Sequence, residues 1–345
     1  MRHSFPVDAH GLIVFANVRG LGRQSELYAA VASGTIERVR HGVYQEVAAS
    51  AADRQPGGSE PERERLAYLT AVHAAAATMR SPVFTSYSAA ALFGLPIIGR
   101  WPGDVYAMSH GPNGSRRPGV VTVARTREIE VLAVGGCAAT SIEFTLLQLA
   151  RHAPLVAALT ATDAALRVPR FGTAAPLTTP ERLRDEHQRL KPYPGSRRAE
   201  AVLRRATTLA DTPLETGSRL LIEELGFAEP QLQHELWLPE LGRRAFLDFY
   251  WPEVDAGAEA DGRGKYLGDV SRLGPSGAGD GRAAAAAAAR AVEVVITEKD
   301  RENAIRRQLA RFDRWDWSEM TRRHPVEKRL RAMGVPVVRR PFIIP

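Results

Sequence analysis

The stretch from Phe246 to Tyr266, FLDFYWPEVDAGAEADGRGKY, constrains this chain more than any other. An aromatic run meets Trp251-Pro252-Glu253 and a second short run follows, the pattern of two strands joined by a tight turn. With the turn over Trp251 to Val254, Tyr250 is predicted opposite Asp255 and Asp248 opposite Gly257. The period of two then gathers Asp248, Glu259 and Asp261 on one face. Asp248 and Glu259 become diagonal neighbours, about 7–8 Å apart. Carboxylates that close repel unless a cation joins them, and hard oxygen ligands suit Mg²⁺ or Mn²⁺. A slip of one residue would take Asp248 off the shared face. The plain alternative is the solvated end of a hairpin. Against it stands the setting of Asp248 among Phe246, Phe249, Tyr250 and Trp251, where a charge without a partner is costly. Directly behind the acids, Gly262-Arg263-Gly264-Lys265 brings a flexible turn and two cations.

Around this hairpin, short motifs recur in a definite order. Glu215-Thr-Gly-Ser-Arg219 opens a helix predicted to run to Gly226, and Gln231 and Gln233 lead a strand. Leu247-Asp248-Phe249, Trp251-Pro252-Glu253, Glu259-Ala-Asp261-Gly262 and Lys265-Tyr266 follow, then Glu298-Lys-Asp-Arg-Glu302 and Arg314-Trp315-Asp-Trp317. In this the chain from about Glu215 to Met320 resembles the very-short-patch-repair-like endonuclease domains of the PD-(D/E)XK superfamily. The resemblance implies a restriction-endonuclease-like α/β domain over residues 214–320 that cleaves DNA phosphodiester bonds with Mg²⁺ or Mn²⁺. It implies metal ligation by Asp248 and Glu259 with Asp261 beside them. Glu215 would reach the site from the first helix, and Lys265 would stand near the attacking water. Three segments depart from the pattern. The strand bearing Glu259 begins Asp255-Ala256-Gly257-Ala258, poor strand formers, and Ala310 to Arg314 is charged where an apolar strand is expected. Between them, Gly268 to Ala289 reads as a flexible loop leading through seven alanines into a helix. These departures keep open a domain with the nuclease fold and without the chemistry.

A second pointer lies in residues 1–50. Leu12 to Ala16 and Gln24 to Ala32 are predicted as short helices around Arg19-Gly20-Leu21-Gly22, with Leu27, Tyr28 and Val31 as the apolar stripe of the second. Ser33-Gly34 closes that helix. Thr35 to Tyr44 then alternates, with Ile36 and Val39 predicted inward and Glu37, Arg38, Arg40 and His41 outward. The segment resembles the winged helix-turn-helix domain of AbiEi-type antitoxins. That resemblance implies a helix in the major groove, with Arg23, Gln24 and Ser25 as base readers and Arg19, Arg38 and Arg40 as phosphate contacts. It also implies a repressor or antitoxin role beside a nucleotidyltransferase-type toxin. The bland reading is a small structural helical domain.

Residues 61–167 continue the antitoxin-like pattern as an α/β scaffold domain. A helix is predicted from Glu62 to Met79, then the serine- and alanine-rich Thr85 to Pro96, which ends in Gly-Leu-Pro as in AbiEi-like proteins. Strands are predicted near Val105 to Met108 and Val120 to Thr126, separated by a turn-rich Gly111 to Pro118. Thr140-Ser141 reads as the N-cap of a helix through Leu149, with Glu143 in its first turn. Where the family commonly has Arg and then Asp on that helix, this chain has Phe144 and Gln148, which weakens the case for a catalytic acid there. Residues 168–213 read as a linker and a helix, and 321–345 as a tail in which Val326, Leu330 and Met333 form a short amphipathic helix.

The whole is therefore expected to be an α+β multi-domain protein: an N-terminal winged helix-turn-helix, a middle α/β scaffold and a C-terminal restriction-endonuclease-like domain. A formal charge of +7 attracts phosphates and agrees with double-stranded DNA as partner, although arginine-rich proteomes produce such a balance without it. Cys137 is the only cysteine, so disulfides within the chain and cysteine-rich zinc sites are excluded. With no long apolar run and no apolar core near Met1, a cytoplasmic, non-membrane protein is expected.

Overall fold

A computed structural model describes residues 5–47, 59–170, 173–261 and 299–344. The chain forms two compact units, Met1–Ala165 with Leu177–Ala206, and Leu166–Pro176 with Thr207–Pro345.

The first unit begins with a three-stranded antiparallel sheet: β1 (Ile13–Val14), β2 (Ile36–Arg40) and β3 (Val43–Glu46), in the order β1-β3-β2. Helices α1 (Phe15–Gly20) and α2 (Gln24–Ala32) lie between β1 and β2 in sequence. The helix expected from Leu12 is displaced, because Ile13 and Val14 pair with Tyr44 and Val43 and the helix starts only at Phe15. Helix α2 has its expected bounds, and Gly34 beyond it takes the left-handed φ of +73° that favours glycine. Ile36 and Val39 are both drawn inward, but into different clusters. Ile36 packs with Ile13, Val18 and Leu27, while Val39 packs against Leu12, Val43 and Ala74. Residues three apart in a strand face opposite ways, so the β2–β3 hairpin is covered on both faces. Ala74 comes from α3 (Glu60–Ala76).

The rest of this unit is a mixed six-stranded sheet: β4 (Val83–Phe84), β5 (Val105–Met108), β6 (Ser115–Arg117), β7 (Val120–Val123), β8 (Val131–Val134) and β9 (Cys137–Thr140). Their order is β6-β7-β5-β4-β9-β8, with β5 parallel to β7 and β4 parallel to β9. Helix α5 (Ile142–His152) is buried continuously from Ile142 to Ala150 and is capped by Ser141, whose Oγ accepts from the Phe144 amide at 3.4 Å. Helices α4 (Ser86–Leu92), α7 (Pro180–Leu190) and α8 (Ser196–Leu203) pack against α5; α6 (Leu155–Leu166) follows it in sequence. Residues 177–206, read from sequence within a linker, thus belong to this body. Leu183, His187 and Leu190 are the buried face of α7.

The second unit opens with α9 (Pro213–Glu224), then β10 (Gln231–Leu238), β11 (Arg243–Trp251) and β12 (Ala256–Ala260). A helix over residues 299–308, here α10, precedes β13 (Arg311–Trp315), α11 (Trp317–Arg322) and α12 (His324–Ala332). The sheet order is β10-β11-β12-β13, with the last pair parallel and the others antiparallel. Phe249, Trp251 and Trp315 form the centre of its core with Ile222, Val326 and Leu330. The amphipathic tail helix is as expected, and the chain beyond it pairs Val337 with Phe227.

Two expectations for the hairpin are corrected. The partners are Tyr250 with Gly257 and Trp251 with Ala256, not Tyr250 with Asp255. Trp251 is fully buried and stays in the strand, while Asp255 takes the left-handed turn position at φ +45°. The turn accordingly slides by one residue and the register by two. The shared face survives, and continuing the ladder one step sets Asp248 directly opposite Glu259 rather than diagonal to it. Nor is β12 a weak strand. Every residue from Ala256 to Ala260 is buried, and a Cβ on Gly257 would meet Leu309 Cδ1 at 2.6 Å and Leu247 Cδ1 at 2.9 Å. The glycine makes room for two leucines.

Candidate carboxylate site and nucleic-acid face

In the second unit, helix α9 begins at a Thr212 cap, whose hydroxyl accepts from the Glu215 amide at 3.3 Å and donates to Glu215 Oε1 at 2.8 Å. Glu215 is 4% exposed, and its Oε2 accepts from the Asp211 amide at 2.9 Å and from Gln233 Nε2 at 2.8 Å. Burial pushes its carboxyl above the usual range, against the pull of these hydrogen bonds. The same Gln233 amide donates to Asp248 Oδ1 at 3.2 Å, and Asp248 Oδ2 accepts from the Ala260 amide at 2.8 Å. Gln233 also accepts from Arg170 at 2.6 Å and sits at φ +53°, a conformation that costs a non-glycine residue about 1–2 kcal/mol. A continuous line thus joins Glu215, Gln233, Asp248 and the edge of β12. Gln233 was read from sequence only as leading a strand, and its φ is the feature that sequence does not carry.

Glu259, on the other hand, points to cations. Its side chain is 7% exposed and is paired with Arg301 on α10 and with Arg314 on β13, the latter at 3.3 Å. Arg314 also reaches Asp261 at 3.4 Å and Glu302 at 3.3 Å. Asp261 holds its place in the parallel ladder by donating its amide to the Trp315 carbonyl at 2.8 Å. The structure therefore brings Glu215 and Asp248 into one hydrogen-bonded line, and Glu259 and Asp261 into one guanidinium network. Lys265 lies outside the described residues, as do the Gly268 to Ala289 segment and Glu298.

A divalent ion is what the sequence pattern implies here, and the arrangement does not fit one. Both oxygens of Glu259 already take guanidinium donors, and those of Asp248 take amide donors. Among the described residues no group of three or more His, Cys, Asp or Glu side chains is placed to hold a metal ion.

In the first unit, Gln24 and Ser25 are exposed at the first turn of α2, and Arg19 and Arg38 are exposed on α1 and β2. Arg23 is different. Its guanidinium pairs with Glu26 at 2.8 Å and lies 4.8 Å from the Phe5 ring centre, so it braces the start of α2. Arg40 is half buried, and burial lowers its guanidinium from the ordinary value. Sequence reading also missed a grouping here: the His10 and His73 rings stack at 3.5 Å, and Cys137 Sγ lies 3.6 Å from His73 Nδ1.

Compared with models of protein families, with curated proteins and with solved structures, the chain matches none. No helix among the described residues is long and apolar enough to cross a membrane.

Proposed function

We propose that this chain is a DNA-binding regulator: the first unit docks duplex DNA, and the second keeps a nuclease-like layout whose carboxylates are balanced by arginines. The observation that carries the choice of regulator over enzyme is the pairing of Glu259 with both Arg301 and Arg314. Guanidinium groups there do the charge balancing that a metal-dependent nuclease leaves to its ion. In this reading the exposed start of α2 enters the major groove with Gln24 and Ser25 at base edges, while Arg19 and Arg38 take backbone phosphates. Arg23 and Arg40 serve the fold of the unit. As a regulator the chain suits the antitoxin or transcriptional-repressor role, with a nucleotidyltransferase-type toxin as the partner to look for.

A second reading, a metal-dependent endodeoxyribonuclease, is favoured by one specific feature. The line Glu215–Gln233–Asp248 contains a strained residue, and Asp248 stands across from Glu259. Plasmid incubation separates the two. Supercoiled DNA with Mg²⁺ or Mn²⁺ is expected to be bound and left uncut. Arg19→Ala/Arg38→Ala is expected to weaken a gel shift and to lower its salt dependence by about two counterions. Nicking that EDTA and Asp248→Ala/Glu259→Ala both abolish would instead establish the nuclease. An unchanged gel shift in the arginine variant would remove the docking face.

A further inference from the structure

The first unit contains a cavity of about 510 Å³ between α5, the segment after β7 and the segment after α7, a size that suits a small organic ligand. Three guanidinium groups line it, from Arg125, Arg127 and Arg151, and among the described residues no aspartate or glutamate does. Arg151 is half buried, on the last turn of α5. It donates to Gln148 Oε1 at 2.7 Å and lies 5.7 Å from the Tyr193 ring centre, and it has no carboxylate partner among the described residues. Burial draws its guanidinium down from the ordinary value, opposed by the nearby Tyr193 phenol. Arg127 spends two donors on the carbonyls of Arg189 and Lys191, at 3.2 and 3.3 Å, and these are neutral acceptors too.

Gln148 adds a polar group to the same wall. It is 4% exposed, its Oε1 is taken by Arg151, and its Nε2 donates to no atom of the described residues while the side chain lines the cavity. That amide faces the cavity and is open to an acceptor bound there. Apart from Thr126 the remaining walls are apolar or aromatic, notably Phe144 and the Tyr193 ring, whose hydroxyl is bound to His187 at 2.6 Å. One ligand chemistry meets all of these demands: an acceptor-rich negative group against Arg151 and Gln148, and a flat apolar body against the rings.

We propose that this cavity is a binding site for a small oxyanion, a carboxylate or a phosphate, carried on a planar apolar body. The site is independent of the DNA-binding reading above. Calorimetric titration of the full chain tests it with adenosine 5′-monophosphate, indole-3-acetate, inorganic phosphate and uncharged adenosine as probes. Uptake of the nucleotide or of the indole acid at one site per chain, with adenosine much weaker, is the expected result, and the better of the two identifies phosphate or carboxylate. Arg151→Met and Gln148→Leu are each expected to weaken that uptake about tenfold or more, with Arg151→Lys between. Thermal melts of the same variants keep loss of fold distinct from loss of the site. Absence of uptake of all the anions overturns the proposal, as does unchanged affinity in a folded Arg151→Met protein. Inorganic phosphate binding as tightly as the nucleotide overturns the planar body.

Discussion

In the second unit the guanidinium groups of Arg301 and Arg314 meet Glu259, Asp261 and Glu302, whereas in the first unit Arg125, Arg127 and Arg151 line a cavity with no acidic side chain among the described residues. The residue type is the same and the physical situation is opposite. Where each cation has its anion, the cost of taking charge out of water is met inside the fold, and the group has little left to offer a ligand. Where the cation is half buried and unmatched, as Arg151 is, that cost is open, and a bound anion would close it. A cluster of acids noticed in a sequence is therefore a weaker sign of a binding site than an uncompensated arginine seen in a structure.

The contrast is most exposed to failure at the paired arginines. Replacing Arg301 and Arg314 together by leucine leaves Glu259 nearly buried and uncompensated, and the loss in urea unfolding is expected at about 3 kcal/mol. Adding Glu259→Leu should return much of it, since the penalty lies in the stranded charge rather than in the missing contact. A double variant as stable as the parent would show that the network is incidental, and the comparison would collapse.

A smaller effect is expected one strand over. Asp248→Asn keeps one oxygen and puts an amide donor against either the Ala260 amide or the Gln233 Nε2, so one of these donors loses its acceptor. The expected cost is about 1–2 kcal/mol. A gain in stability instead would mark Asp248 as a residue kept for chemistry at the expense of the fold, and would revive the nuclease reading.

How much of this was legible in the sequence depended on distance along the chain. The Trp251-Pro252-Glu253 turn and the shared face of Asp248 and Glu259 are local, and period two finds them even with the register two residues off. The arginines that balance Glu259 are 42 and 55 positions away on other elements, beyond any local periodicity. Gln148 was visible only as a departure from a family pattern. What makes it informative is its place on the cavity wall beside Arg151, and that belongs to the assembled structure. The covered hairpin has a similar cause: alternation puts Ile36 and Val39 on opposite faces, and what it does not carry is the second layer, with Ala74, that covers the Val39 side. In α7 the spacing of Leu183, His187 and Leu190 carries the buried face, while Pro192, Pro194 and Gly195 just beyond it give the segment the composition of a linker.

The smallest expected effect is the one that sharpens the comparison most. Arg151→Met removes a half-buried charge that has no acid to lose among the described residues, and deprives the Gln148 Oε1 of its donor. Methionine fills much of the same space along α5 and pays no desolvation of charge. Loss of one hydrogen bond and relief of the buried charge nearly offset, so stability is expected to move by less than about 1 kcal/mol in either direction. Set beside the loss expected at Arg301 and Arg314, this difference between arginines separates those that hold the protein together from those that do not. A loss at Arg151 as large as that at the paired arginines would mean that the cavity's charge is already answered within the fold. A near-neutral change would leave Arg151 as a cation kept in a costly place without benefit to stability, the condition a ligand site has to satisfy.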